Sequence, residues 1–201
     1  MSQSNNEKML KGRDLITIGI FSAIYFVINF AFMLVSGFHP MIWILMPALI
    51  ALFTGVPFML MCAKVQKPGA VTLMGLITGL LYFVTGQFTV VILVTFIIGC
   101  GLGEIVRAAS KYNSFKGNTF SFAMFSLGMI GSPLPIWIMR DSFLVQITEQ
   151  GMPADYVATL EAVSSSAMLV AMVVAPLVTA VIGAFLAKGM FKKHFTKAGI
   201  V

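Results

Sequence analysis

Apolar residues come in six long runs, at about 14–36, 40–63, 70–85, 88–106, 118–138 and 165–188, separated by short polar segments. Runs of this length with almost no charge predict membrane-spanning helices, since about 20 residues at 1.5 Å each cross the hydrocarbon. The third run is short for a crossing, so it either tilts little or ends inside the protein. Pro47 and Pro57 fall within the second run. Each removes one backbone hydrogen bond. A kinked helix packed against neighbours is expected there, because lipid offers a freed carbonyl no partner. In the fifth run, Ser132-Pro133-Leu134-Pro135 is expected to break the helix and leave free backbone groups facing a cavity. The one long connection, about 139–163, holds the Gly151-Met152-Pro153 turn and then a weakly amphipathic helix from Ala154 leading into the last run. The expected fold class is all-α: a polytopic membrane protein, a compact bundle of six transmembrane helices. The bundle covers 14–191, between a polar segment at 1–13 and a tail at 192–201.

Charge orients this arrangement. The seven polar segments hold, in order, three, zero, two, zero, three, one and four Lys+Arg, so the odd-numbered ones carry twelve of the thirteen. Lys and Arg in short loops mark the cytoplasmic side. Both termini are therefore expected on the cytoplasmic side of the membrane. The long loop is the reverse, with Arg140 against Asp141, Glu149, Asp155 and Glu161. Composition agrees: 59% of the 201 residues are hydrophobic and 10% charged, where soluble domains are nearer a quarter charged. The net charge of +6 is scattered over four short segments as topology requires, so it does not indicate nucleic acid. The first run is too long for a signal-peptide core and is read as a retained span.

Several chemistries lack their residues. No glycine-rich loop ends in Gly-Lys-Ser/Thr, and no His-Glu-x-x-His or Cys-x-x-Cys occurs. Cys62 and Cys100 sit in apolar runs at no metal spacing and read as small buried hydrophobes. With two histidines, one of them His194 in the tail, a Ser/His/Asp hydrolase has too few candidates. No ionisable residue lies near a span centre, where a proton-coupled carrier keeps one. Glu104 comes closest, and is expected to form an interfacial i,i+3 ion pair with Arg107. The chain is therefore expected to be no enzyme, to hold no cofactor and no metal, and to draw any energy from elsewhere.

Two features remain as candidates. Small residues recur at four-residue spacing: Gly19/Ala23, Gly75/Gly79, Gly99/Gly103 and Ala180/Ala184. Such pairs let helix backbones approach closely in lipid. Polar and aromatic residues also gather at the predicted outer ends: Asn29, His39, Trp43, Tyr82, Gln87, Ser132, Trp137 and Arg140. Each has an ordinary reading alone: a belt aromatic, a cap before proline at His39, a solvated pair at Arg140–Asp141. Together they suggest a small-molecule pocket between helix ends. Arg140 would pair with a carboxylate or phosphate, and Gln87, Asn29 and Ser132 would orient an amide or ring. Trp43, Trp137 and Tyr82 would stack on a flat ligand.

Six short spans, an inside N-terminus, the missing ATP site and a first span beginning Arg13-Asp14-Leu15-Ile16-Thr17-Ile18-Gly19-Ile20-Phe21-Ser22-Ala23 resemble the substrate-binding S subunit of an energy-coupling-factor (ECF) transporter. More narrowly, the chain is similar to the Trep_Strep group of bacterial integral membrane proteins, over about 11–193. The resemblance implies a subunit that captures a vitamin or other micronutrient outside. It then docks on a membrane T subunit driven by two ATPase subunits. It also implies outer loops that cap the ligand, and a T-subunit contact through an Ala-x-x-x-Ala pattern whose positions here are Gly19 and Ala23. The Trep_Strep group has no single assigned ligand. His39, with Met33 and Met41 nearby, permits a haem or other tetrapyrrole with His39 as axial ligand. A stand-alone carrier is the other alternative.

Overall fold

A computed structural model describes residues 9–86 and 89–191. It is built from helices, with no strand among the described residues. Four are long and apolar enough to cross a membrane: α1 (Gly12–Ser36), α2 (Pro40–Lys64), α4 (Val90–Ala109) and α9 (Ser166–Met190). Helix α3 (Ala70–Val84) is apolar but has 15 residues, short of the ~20 that span a bilayer. The first, second, third, fourth and sixth predicted segments thus each become one helix.

The fifth is broken, as expected from Ser132-Pro133-Leu134-Pro135, but the break comes earlier, after Ser126. It forms α5 (Phe115–Ser126), a tight 3₁₀ stretch (Leu127–Gly131) and the single turn α6 (Pro135–Ile138). The break begins ahead of Pro133, because Gly128 and Gly131 let this stretch lie directly on α4. A Cβ on Gly131 would meet the Ile92 Cα at 2.7 Å, and one on Gly128 the ring of Phe96 at 3.2 Å. The Thr95 hydroxyl, 2.7 Å from the Gly128 carbonyl, can donate to it, giving a backbone group freed in an apolar setting its partner. Pro47 and Pro57, in contrast, lie inside an unbroken α2.

The connection at 139–163 is also more ordered than expected. It folds as α7 (Arg140–Glu149) and α8 (Ala154–Val163), joined through Gly151, whose φ of +88° suits glycine. Only α8 was expected.

Helix starts follow local chemistry. Pro40, needing no N–H partner, opens α2. Thr89, Ser114 and Ser165 each accept a backbone N–H, from Ile92, Gly117 and Met168. Helix α3 starts at Gly69 (φ +86°), which has no side chain to cap it. Glu104 of α4 supplies the cap, its carboxylate accepting from the N–H groups of Gly69 (2.7 Å), Val71 (3.0 Å) and Thr72 (3.3 Å). A negative charge on the positive end of a helix dipole is stabilising.

This overturns the expected Glu104–Arg107 ion pair. Arg107 is wholly buried and turns the other way. Its Nε donates to Asn118 Oδ1 (3.1 Å), and one Nη donates to the carbonyls of Val65 (2.8 Å) and Cys62 (3.4 Å). Those carbonyls are the orphan acceptors at the end of α2, so tertiary demand at two helix ends separated the neighbours.

Close crossings hold the bundle. Helices α2 and α9 meet at Gly55 and Gly183, where a Cβ on Gly55 would stand 2.5 Å from the Gly183 carbonyl carbon. The main core includes Tyr25, Phe58, Met61, Met74, Phe122 and Phe125. A second cluster of Ile44, Ile136, Ile147, Leu160 and Met172 binds α6, α7 and α8 to the beginnings of α2 and α9. The end carrying Arg13, Lys64, Lys67 and Lys188 is the cationic end. The second cluster lies at the opposite one.

Candidate functional site

A cavity of about 750 Å³ opens at the end opposite the cations, within the size range of small-molecule sites. Helix α1 contributes Phe30, Met33 and Ser36, and α2 contributes Trp43 and Met46. The α3–α4 connection brings Gly86 and Thr89. The broken fifth segment brings Ser132 and Pro135. Phe143 and Gln146 of α7, with Gln150 directly after it at the same helical spacing, and Tyr156 of α8 complete the wall.

Two aromatic planes brace one side. Trp43 and Phe143 stack with centroids 5.5 Å apart and planes 3° from parallel. Tyr156 donates from its hydroxyl to the Ser36 carbonyl (3.3 Å), tying α8 to the end of α1. Burial raises its phenol above the usual value, so it stays a protonated donor at neutral pH. Four methionines, Met33, Met46, Met139 and Met152, also line the wall. Their flexible thioethers adapt to varied apolar shapes.

The structure divides the sequence-derived candidates. Trp43 and Ser132 are on the wall. Asn29 and Tyr82 are beneath it, both buried: the Tyr82 hydroxyl donates to Asn29 Oδ1 (3.0 Å), and Asn29 Nδ2 donates to the Tyr25 carbonyl (2.7 Å). Each satisfies the other, as buried polar groups must be satisfied. His39 is exposed and caps α2, its Nδ1 accepting from the Met41 N–H (3.2 Å). It is not on the wall, and neither is Met41. Trp137 packs in the second cluster, and its indole N–H donates to the Ser165 carbonyl (3.2 Å). Arg140 reaches across to Glu161, meeting its carboxylate at 3.2 Å and its carbonyl at 3.1 Å; it does not face the hollow. Gln87 lies outside the described residues. Of the residues that sequence reasoning missed, Phe143, Gln146 and Tyr156 belong to α7 and α8, and Gln150 directly follows α7. Their signal was the spacing 143/146/150, one face of a helix in a stretch read as a loop.

Away from the cavity, Gly19 and Ala23 lie together on α1. Nothing stands within 4 Å of a Cβ built on Gly19, and Ala23 is exposed. Gly75 by contrast packs on Cys100, and Gly99 and Gly103 on the backbone of the fifth segment. So Gly19/Ala23 is open at both positions, whereas Gly75, Gly99 and Gly103 serve the bundle itself; Gly79 is also open. Among the described residues no three His, Cys, Asp or Glu side chains gather as a metal site.

A family model described as hypothetical bacterial integral membrane protein (Trep_Strep) matches residues 12–197. No curated protein and no solved structure matches. The match takes in the whole helical bundle, cavity and open α1 face included, and the chain therefore belongs to the Trep_Strep family of bacterial integral membrane proteins.

Proposed function

We propose that this chain is the substrate-capturing S subunit of an ECF-type importer, with no chemistry of its own. The observation carrying this reading is the cavity of about 750 Å³ at the end away from the cations. With Lys and Arg retained inside, that end faces the exterior of a bacterial cell membrane and both termini face the cytoplasm. A vitamin-like micronutrient enters between the helix tips. The α7–α8 hairpin lies over it, its two arms joined by the Arg140–Glu161 pair and the whole tied to the bundle by the Tyr156–Ser36 bond.

Energy then comes from partners. The sequence has no nucleotide-binding loop and no ionisable group at mid-span. The open Gly19/Ala23 face of α1 offers a T subunit the close helix contact that small residues permit, and two ATPase subunits drive that T subunit.

Purification of the tagged chain from its native membrane in a mild detergent tests this. A second integral membrane protein and two ATPases are expected to come with it. A chain that elutes alone, and that moves solute into vesicles unaided, would make it a stand-alone carrier instead.

A further inference from the structure

We infer that the molecule captured is uncharged: a ring-bearing compound whose polar groups are of amide, carbonyl or hydroxyl type. The inference rests on the capture reading above and adds the ligand's chemistry to it. No charged side chain lines the cavity among the described residues. The cation expected to meet a carboxylate or phosphate, Arg140, is turned onto Glu161. A charged group entering the hollow would lose water without gaining an opposite charge, and such burial is strongly disfavoured.

What the wall does offer is neutral. The amides of Gln146 and Gln150 and the hydroxyl of Ser132 line the cavity, and none has a side-chain hydrogen bond among the described residues. An amide presents both a donor and an acceptor, as a hydroxyl does. They therefore suit a carbonyl, ring amide or hydroxyl, where burial without a partner would cost binding. Beside them, the Trp43–Phe143 stack and the thioethers of Met33 and Met46 give flat and adaptable apolar surface.

The test is native mass spectrometry of the chain in a detergent micelle. The probe is a small-molecule extract of the native host, split by ion exchange into neutral, acidic and basic fractions. A bound mass is expected from the neutral fraction. Trp43→Ala should reduce its occupancy about tenfold, and His39→Ala, exposed and off the wall, should leave it unchanged. A bound mass arising only from the acidic or basic fraction overturns the neutral-ligand inference while leaving capture intact. No bound mass from any fraction, on a chain that still melts cooperatively, overturns the capture reading and this inference with it.

Discussion

With leucine at both Gly19 and Ala23, association with the proposed T subunit and ATPases is expected to weaken about tenfold or more, equivalent to at least ~1.4 kcal/mol of association energy. The fold should survive. Nothing stands within 4 Å of a Gly19 Cβ, so the new side chains project away from the bundle. The neighbouring stripe is already outward, with Ile16 65%, Ile20 55% and Val27 65% exposed. Removing a helix-interior glycine also favours the helix by roughly 0.5–1 kcal/mol. The melting temperature in detergent should therefore hold or rise slightly, and the bound small molecule should be retained. What changes is the distance of closest approach: two isobutyl groups prevent backbone-to-backbone contact with another helix. Loss of partners and bound molecule together, at unchanged melting, would show that this face does not serve docking.

Arg107→Met is expected to give a large loss of stability, on the order of 3–5 kcal/mol. The arginine is wholly buried and clips three elements at the cationic end. It donates to the end of α2 through Val65 and Cys62, to the turn after α4 through the Tyr112 carbonyl (3.5 Å), and to α5 through Asn118. Its guanidinium also lies over the Tyr112 ring, 5.3 Å from the centroid, a cation–π contact. Methionine fills much of the space but donates nothing. The α2 carbonyls then remain buried and unpaired, at about 1–3 kcal/mol each. Thermal unfolding followed in detergent should drop by on the order of 10 °C. Arg107→Lys should recover part of it, because one ammonium reaches fewer of these acceptors than the planar fork does. A melting curve unchanged by Arg107→Met would remove this side chain from the structural account.

Both residues illustrate where a one-dimensional reading of this chain succeeds and stops. Hydropathy located five of the six segments within a few residues of their helices, because lipid forces an apolar segment to satisfy its own backbone. Thus the run at 165–188 became Ser166–Met190 and that at 40–63 became Pro40–Lys64. The fifth segment failed that logic. Its backbone is satisfied partly by Thr95 on another helix, information no local window contains.

Glu104 and Arg107 failed for a related reason. Three-residue spacing suggests a pair, but an uncapped glycine at the start of α3 and orphan carbonyls at the end of α2 claimed them separately. At the cavity, Trp43 and Ser132 were visible as an aromatic and a helix-breaking serine at helix tips. Asn29 and Tyr82 looked equally polar, but they are across from each other on adjacent helices and pair inward. Gln146 and Gln150 were hidden because α7 is polar enough to pass for a solvated loop.

The outward-facing capture cavity is tested most directly by thiol accessibility in intact cells. The two native cysteines are buried, so background labelling is low. Met152→Cys places a thiol on an exposed wall residue beside α8, and Lys111→Cys places one at the exposed turn after α4, at the cationic end. A membrane-impermeant maleimide should label the first in intact cells and the second only after permeabilisation. Labelling of Lys111→Cys in intact cells, with Met152→Cys reached only from inside, would turn the cavity to the cytoplasm and contradict the account.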